Sequence, residues 1–154
     1  MIINLTGQAG AGKTTLAKEL LKLIPNSINI DGDELREMFS NKDYSENGRR
    51  NNITNAYNIA TFLHHKGFNP IISLISPYQD LRDELKNRID TLEFYIFTSS
   101  IRGRENYFVS NYQAPKERYI PIDTTNDSPE RIADTIITCL ESGFYNHLLI
   151  SKNK

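Results

Sequence analysis

The sequence predicts an α/β fold in which a five-stranded parallel sheet lies between two layers of helices. Five short apolar runs alternate along the chain with helical patterns, and strands separated by helices favour parallel pairing. A glycine-rich turn follows the first apolar run directly, as it does where a strand passes into a helix. The chain has 154 residues, which is the length of one domain with one core. We therefore expect residues 1–154 to form a single domain.

The predicted strands are short runs rich in isoleucine, leucine and aromatic residues. Runs of this length and composition, bounded by polar residues, are typical of strands buried in a sheet. The five runs are residues 2–6, 27–30, 70–75, 92–97 and 119–122.

Three helices are predicted from apolar residues at helical spacing and from their end signals. The first covers residues 14–24, and the second covers residues 49–66 and ends before Gly67. The last begins after Ser128, which precedes a proline and a glutamate, and ends at Gly143. We expect the polar residues 151–154 to fray.

The composition excludes several classes of protein. The formal net charge is −1, so no overall basic field favours a nucleic acid polymer or an anionic membrane. The single cysteine, Cys139, excludes an intrachain disulfide framework and a zinc site of several cysteines, and it suits a reducing compartment. No apolar run approaches the length of a membrane span. We expect a cytoplasmic protein.

Residues 7–14 read GQAGAGKT, a complete match to the phosphate-binding pattern G-x-x-x-x-G-K-[ST]. Such a loop presents backbone N–H groups and a helix N-terminus to phosphate oxygens. Lys13 would neutralise the β- and γ-phosphates of ATP, and the Thr14 hydroxyl would bind Mg²⁺. The alternative is an ordinary turn before a helix. In that case the pattern would have to occur by chance between a strand and a helix. The predicted ATP-binding residues are Gly7, Gln8, Ala9, Gly10, Ala11, Gly12, Lys13, Thr14 and Thr15.

Charged residues follow the second predicted strand. Asp31 and Asp33 flank a glycine, and Arg36 comes one turn later. In open parallel sheets, ligands bind beyond the carboxyl ends of the strands. Two carboxylates near a phosphate loop can hold Mg²⁺ through water and accept a proton from an attacking hydroxyl, and the arginine can bind an anionic substrate. An Asp-Gly-Asp turn alone can be inert, and its position after this strand is what favours a functional role.

The order of these motifs resembles the adenylylsulfate kinase family, whose members have a three-layer P-loop kinase fold. The resemblance covers the phosphate loop and the D-G-D-x-x-R motif that starts at Asp31. It continues with an R-x-x-N helix start at Arg49 and Asn52, an S-x-I-S-P-Y run at residues 73–78 and a Y-x-A-P stretch at residues 112–115. Each motif is weak alone, but their order and spacing are specific.

The resemblance implies the reaction. The family transfers the γ-phosphate of ATP to the ribose 3′-hydroxyl of a nucleotide that carries an activated 5′-phosphate. By resemblance, Asp33 is the catalytic base. The motifs themselves also assign Lys13 to catalysis, and they assign Asp31 to the metal beside Thr14 and to the acceptor. A small-molecule nucleotide acceptor is implied, and a homodimer is common in the family.

The resemblance also implies the remaining acceptor contacts. Arg36, Arg49 and Asn52 would bind the 5′ end of the acceptor. The ring of Tyr44 would face the base, and Ser76 and Pro77 would line the pocket. The alternative for Tyr44 is an aromatic residue of the core. The alternative for the two arginines is an exposed position on a helix.

The chain departs from the family after the fourth strand. Members of the family carry an R-D-x-K-G-L-Y segment there, and then a long lid whose phenylalanine-threonine-glycine motif stacks on the acceptor adenine. Here only residues 98–111, which we call the short lid, separate Phe97 from Tyr112. Arg102, Arg104 and Tyr107 loosely match the first segment. The two arginines are predicted to contact ATP, and Phe108 is predicted to form a replacement wall for the acceptor. The alternative is a solvated loop.

The shortened lid bears on the acceptor base. Loss of one stacked ring removes about 1 to 3 kcal/mol, which is about tenfold or more in affinity. The family also contains cytidine diphosphoramidate kinase, which acts in the phosphoramidate decoration of bacterial capsules, and a smaller base needs a smaller lid. Gln79, where the family usually has an arginine, also indicates altered acceptor contacts. We favour a cytidine acceptor, with adenylylsulfate as the alternative.

Two further alternatives lie outside this reaction. Small P-loop kinases of metabolites share the fold, but they do not account for Arg49, Asn52 and the Ser-Pro-Tyr run. A non-catalytic nucleotide-binding module is the other alternative. The intact Lys13, Thr14 and Asp33 argue against it.

Overall fold

A computed structural model describes residues 1–146, and it contains the predicted five-stranded parallel sheet. The spatial order of the strands is β2-β3-β1-β4-β5, and every adjacent pair is parallel. The strands are β1 Ile2–Thr6, β2 Ser27–Asp31, β3 Asn69–Ser73, β4 Thr91–Phe97 and β5 Tyr119–Asp123. The prediction that residues 151–154 fray falls outside the described residues.

Two layers of helices cover the sheet. They are α1 Lys13–Leu23, α2 Gly32–Met38, α3 Glu46–His65, α4 Gln79–Arg88 and α5 Pro129–Ser142, with a 3₁₀ turn at Glu105–Tyr107. The helix α3 begins earlier than predicted because Ser45 caps it, its Oγ accepting a hydrogen bond from Gly48 N at 3.3 Å. As predicted, α5 ends before Gly143, whose φ is 65°. The helices α2 and α4 were not predicted.

The strand β1 separates the two hydrophobic cores. Ile3 and Leu5 face the core that includes α1 and α5, whereas Ile2 faces the core that includes α3. This alternation arises because successive side chains of a strand point to opposite faces. Cys139 lies on α5 and is half-buried. No helix within residues 1–146 is long and apolar enough to cross a membrane.

The fold collects the predicted motifs at one edge of the sheet. All five strands are parallel, so their carboxyl ends meet at that edge. The phosphate loop follows β1, Asp31 ends β2, residues 74–78 follow β3, and the short lid follows β4. The order of strands places β1 between β3 and β4, so the phosphate loop lies between the 74–78 loop and the short lid.

Candidate active site

The phosphate loop has the backbone geometry that its glycines permit. Gly7 has a φ of 148°, and a Cβ atom there would lie 2.0 Å from the carbonyl oxygen of Ile96. Only glycine fits this approach. Gly12 precedes α1 with a φ of 99° and has no side chain to cap the helix. The first-turn N–H groups of α1 therefore face the loop, where they can bind an anion.

Lys13 is buried within the phosphate loop. Its side chain is 7% exposed, and Nζ donates a hydrogen bond to the Gln8 carbonyl oxygen at 2.7 Å. Burial lowers the pKa of Lys13 to about 8, although the nearby carboxylates of Asp31 and Asp33 oppose this shift. The ammonium group thus lies in a site that disfavours its charge, and a bound phosphate would supply the missing negative charge.

Asp31 connects three elements of the site. Its Oδ2 accepts hydrogen bonds from the hydroxyls of Thr14 at 2.7 Å and Ser73 at 3.1 Å. Its Oδ1 accepts one from the backbone N–H of Asp33 at 2.9 Å, which caps α2. Two side-chain oxygens therefore lie together beside the phosphate loop. This donor set fits Mg²⁺, which takes one or two protein oxygens and completes its shell with phosphate oxygens and water.

A cleft of about 1040 Å³, which we call the main cleft, lies beside the phosphate loop and brings together most of the predicted site residues. The loop contributes Ala9, Gly10, Lys13 and Thr14 to its walls. The predicted acceptor residues line it as well: Asp31, Asp33, Arg36, Tyr44, Arg49, Asn52, Ser76, Pro77 and Phe108, together with Arg104 from the short lid. Gly7, Gln8 and Ala11 do not line it.

Tyr44 is an exposed residue at the rim of the main cleft, with 61% of its surface accessible. The alternative interpretation, that Tyr44 is an aromatic residue of the core, is therefore wrong. The Arg36 guanidinium carbon lies 4.2 Å from the centre of the Tyr44 ring, and Arg36 Nη1 donates to the Asp43 carbonyl oxygen at 2.8 Å. Arg49 Nε donates to the Tyr44 carbonyl oxygen at 2.9 Å. Both arginines thus hold the turn that carries the ring as well as lining the cleft.

Asn52 and Ser76, which are both predicted to contact the acceptor, are almost fully buried. Asn52 is 4% exposed, and its Nδ2 donates to the Gly32 carbonyl oxygen at 3.2 Å. Asn52 therefore supports the turn that carries Asp33. Ser76 is 1% exposed and has a φ of 46°, a conformation that non-glycine residues rarely adopt and that often occurs at functional sites.

Sequence reasoning missed the residue that supports Ser76. Arg82 Nη1 donates to the Ser76 carbonyl oxygen at 2.6 Å. The fully buried guanidinium also lies 2.7 Å from Glu93 Oε1, and Lys86 Nζ lies 2.6 Å from Glu93 Oε2. This buried ionic cluster fixes α4 to β4 beneath the 74–78 loop. Charged residues on a helix give no apolar periodicity, so only the dense run of charges in α4 could have drawn attention to it.

The short lid lies against the phosphate loop. Arg102 Nη1 donates to the Gly10 carbonyl oxygen at 3.2 Å, and Arg102 Nη2 donates to the Thr124 carbonyl oxygen. Thr124 Oγ1 in turn donates to the Ala11 carbonyl oxygen at 2.8 Å. These hydrogen bonds attach Arg102, although it is exposed, to the phosphate loop and to Thr124.

A second cleft of about 190 Å³ lies on the other side of the loop. Its walls are Gly12, Thr15, Leu16, Arg102, Thr124, Asp127, Pro129 and Ile132. Sequence reasoning assigned Gly12, Thr15 and Arg102 to ATP binding but missed Thr124 and Asp127. Their position after the fifth strand was the available signal, since ligand-binding residues follow strands in this class of fold.

Comparison with known proteins places this chain in a family. The adenylylsulphate kinase family model matches residues 1–104. A cytidine diphosphoramidate kinase from Campylobacter jejuni is 32% identical over 145 residues, which covers 88% of this chain and 84% of that protein. An adenylyl-sulfate kinase from Staphylococcus haemolyticus is 28% identical over 168 residues, which covers 92% of this chain and 84% of that protein.

The fold agrees with these matches. The structure of the Mycobacterium tuberculosis APS kinase in complex with AMPPNP and APS has a TM-score of 0.77 and 23% sequence identity, covering 91% of this chain and 96% of that chain. This similarity confirms the predicted P-loop kinase fold. The family model spans most of the chain, and the relatives cover nearly all of it. The protein is thus an ATP-dependent phosphotransferase and belongs to the adenylylsulphate kinase family.

Proposed function

We propose that the protein transfers the γ-phosphate of ATP to the ribose 3′-hydroxyl of a nucleotide that has an activated 5′-phosphate, and that this nucleotide is cytidine diphosphoramidate. The observation that carries the proposal is the main cleft, where Lys13 of the phosphate loop, Asp33 and the pair Arg36 and Arg49 share one space. A donor phosphate and an anionic acceptor can therefore meet there. Phosphoryl transfer depends chiefly on such alignment and on neutralisation of charge.

The proposed reaction assigns a role to each side of the cleft. The acceptor 3′-oxygen attacks the γ-phosphorus, its proton passes to the Asp33 carboxylate, and the bond to the β-phosphate oxygen breaks to release ADP. Lys13 and the loop N–H groups hold the β- and γ-phosphates. Thr14 and Asp31 would hold Mg²⁺, which neutralises phosphate charge when it is bound.

The second cleft offers space for the base and ribose of ATP. It begins beside Gly12 at the start of α1, next to the phosphate loop, and Arg102 forms part of its wall. The planar guanidinium can stack on an adenine ring, a contact worth about 0.5 to 2 kcal/mol. Thr124 and Asp127 add polar groups to the same wall. We therefore assign this cleft to the donor nucleotide and the main cleft to the acceptor.

The acceptor end of the main cleft supports an anionic nucleotide. Arg36 and Arg49 line it and flank Tyr44, whose exposed ring offers a surface for a base. Phe108, which is 49% exposed, lines the same cleft from the short lid. Two aromatic residues from different segments are thus available to the acceptor.

Two observations favour cytidine as the acceptor base. One is the short lid, and the other is the Campylobacter relative, which is a cytidine diphosphoramidate kinase. A pyrimidine presents a smaller stacking surface than adenine, and the short lid leaves a smaller wall. If this acceptor is correct, the protein acts in capsule phosphoramidate biosynthesis. Adenylylsulfate, as used in sulfate assimilation, is the second candidate, and the Staphylococcus relative supports it.

Competition between the two acceptors tests the proposal. We expect kcat/KM for cytidine diphosphoramidate to exceed that for adenylylsulfate by about tenfold or more, measured by ADP release with Mg²⁺ and ATP. A preference for adenylylsulfate would show that the short lid suffices for adenine. Activity with neither would favour a metabolite kinase, which a screen of non-nucleotide acceptors would identify, or a non-catalytic module. The cytoplasmic location and the homodimer stay predictions, and light scattering would test the latter.

A further inference from the structure

Gln8 occupies one of the positions that the phosphate-binding pattern leaves open, and it does not line the main cleft. Its amide forms two hydrogen bonds with the backbone of one residue of the short lid. Gln8 Nε2 donates to the Val109 carbonyl oxygen at 2.9 Å, and Gln8 Oε1 accepts from the Val109 N–H at 2.9 Å. The side chain thus pairs with Val109 as a neighbouring strand would.

Few other side chains can replace this pairing. An amide presents one donor and one acceptor in a fixed plane, which matches the N–H and C=O of a peptide. Asparagine is shorter by one methylene group, and aliphatic side chains offer no polar atoms. Val109 is only 6% exposed. Its carbonyl oxygen also accepts a hydrogen bond from the Tyr112 N–H at 3.2 Å, so it is the Val109 N–H that would lose its bond to Gln8, and such a loss is costly inside a protein.

The residues beside Val109 form a wall of the main cleft. Tyr107 and Phe108 immediately precede it and line the cleft, although both rings are substantially exposed, at 64% and 49%. Arg104 lies 5.0 Å from the centre of the Tyr107 ring, at the same wall. Exposed rings have little packing of their own to fix them. The Tyr107 and Phe108 N–H groups donate to the carbonyl oxygens of Arg104 and Glu105, both at 3.0 Å, which fixes the shape of the turn. The hydrogen bonds at Val109 then attach the end of that turn to the phosphate loop.

The same residue also contacts the phosphate site. The Gln8 carbonyl oxygen accepts the hydrogen bond of Lys13 Nζ at 2.7 Å. One residue thus supports the catalytic lysine through its backbone and the short lid through its side chain. A side-chain substitution at Gln8 leaves the first contact available and removes the second.

We propose that Gln8 is a positioning residue for the acceptor: its amide holds Val109 and so places Tyr107 and Phe108 against the acceptor base. This inference rests on the proposed function, since it assigns the wall to the acceptor of that reaction. It predicts that Gln8 controls acceptor recognition without contacting the acceptor. Arg102, which holds the other end of the short lid, instead faces the donor cleft.

Kinetic analysis of Gln8→Leu tests this role, because leucine has a similar volume and no hydrogen-bonding groups. We expect the KM for the nucleotide acceptor to rise about tenfold, and by more than the KM for ATP, because the substitution leaves the backbone contact of Gln8 with Lys13 available. Arg102→Met is the contrasting variant, for which the KM for ATP should rise more. In a double-mutant cycle, Gln8→Leu should add little to the effect of Phe108→Ala, since both disturb one wall.

A fluorescence measurement tests the structural part without any substrate. The chain contains no tryptophan, so Phe108→Trp introduces a single reporter into the short lid. Addition of Gln8→Leu should lower the steady-state anisotropy of that reporter. In the matched control, Phe68→Trp at the opposite end of the sheet, Gln8→Leu should leave the anisotropy unchanged.

The outcomes separate this proposal from the proposed function. Unchanged anisotropy of the Phe108 reporter, additive effects in the cycle, or an equal rise in both KM values would overturn the role of Gln8 while leaving the kinase reaction in place. Absence of nucleotide kinase activity in the wild-type protein would overturn the proposed function and the acceptor role of Gln8 with it. The anisotropy would then still decide whether Gln8 holds the short lid.

Discussion

Among the single residues, Lys13 lies in the phosphate loop, and the burial of its charge lowers the stability of the folded protein. Burial holds its pKa at about 8, below the ordinary value of 10.5. The folded protein therefore binds this proton more weakly than the unfolded chain does. Consequently the free energy of unfolding should rise with pH between about 8 and 10.5 as the unfavourable charge is lost.

We expect Lys13→Met to abolish most phosphoryl transfer and yet to raise the free energy of unfolding at pH 7, by up to about 3 kcal/mol. The gain should shrink as the pH rises from 8 to 10, because the wild-type lysine is then neutral. Urea denaturation of the free protein across this pH range measures the effect. Lys18→Met, on the exposed side of the same helix, is the control and should change stability by less than about 0.5 kcal/mol. A destabilised Lys13→Met variant at pH 7 would contradict the account.

Asp33 is the residue to which we assign the proton of the acceptor hydroxyl. It is exposed at the start of α2 and lines the main cleft. Asp33→Asn keeps the shape of the side chain and removes its basicity, so kcat should fall about 10²- to 10⁴-fold. The affinity for ATP should stay the same, as titration calorimetry can show. An unchanged kcat would exclude Asp33 as the base.

Substitutions of Tyr44 test whether its ring stacks on the acceptor base. Tyr44→Phe keeps the ring and should leave the acceptor KM close to that of the wild type. Tyr44→Ala should raise it about tenfold, because stacking on one ring contributes about 1 to 3 kcal/mol. The side chain is 61% exposed, so neither change should lower the thermal midpoint much. Similar losses in both variants would point to the hydroxyl group instead of the ring.

At the scale of elements, the helix α4 depends on buried charge. Its inward face carries Arg82 and Lys86, which share the buried carboxylate of Glu93 on β4. Removing one partner of a buried ion pair leaves the other charge uncompensated. The same helix supports the 74–78 loop, because Arg82 holds the Ser76 carbonyl oxygen. If the acceptor binds as proposed, this element connects stability with acceptor binding.

We expect Arg82→Met to lower the free energy of unfolding by about 3 to 5 kcal/mol. The acceptor KM should rise more than the KM for ATP, since the Ser76 loop lines the acceptor side. Arg88→Met is the control on the same helix. Its contacts with Asn58 and Thr61 are exposed, so it should cost about 1 kcal/mol or less. Equal stability losses in the two variants would refute the special role of the buried cluster.

At the scale of the whole molecule, the sequence predicted the strands and the phosphate loop because each has a local pattern. Buried parallel strands are short apolar runs, and the loop has a motif with fixed spacing. The helix α4 has no such pattern, because charges cover much of its buried face. The contact between Gln8 and Val109 joins residues 101 positions apart, and no local pattern encodes it. The resemblance supplied the proposed acceptor residues, but it did not show that Arg36 and Arg49 also hold the Tyr44 turn.

In the proposed reaction, the phosphate moves to a ribose hydroxyl of a nucleotide bound in the main cleft. The most direct measurement is ³¹P NMR of the product formed from cytidine diphosphoramidate with Mg²⁺ and ATP, with Asp33→Asn as the matched control. We expect a new phosphomonoester coupled to the 3′ proton of the ribose, and far less of it with the variant. A phosphate at any other position of the nucleotide, or equal product with the variant, would contradict the account.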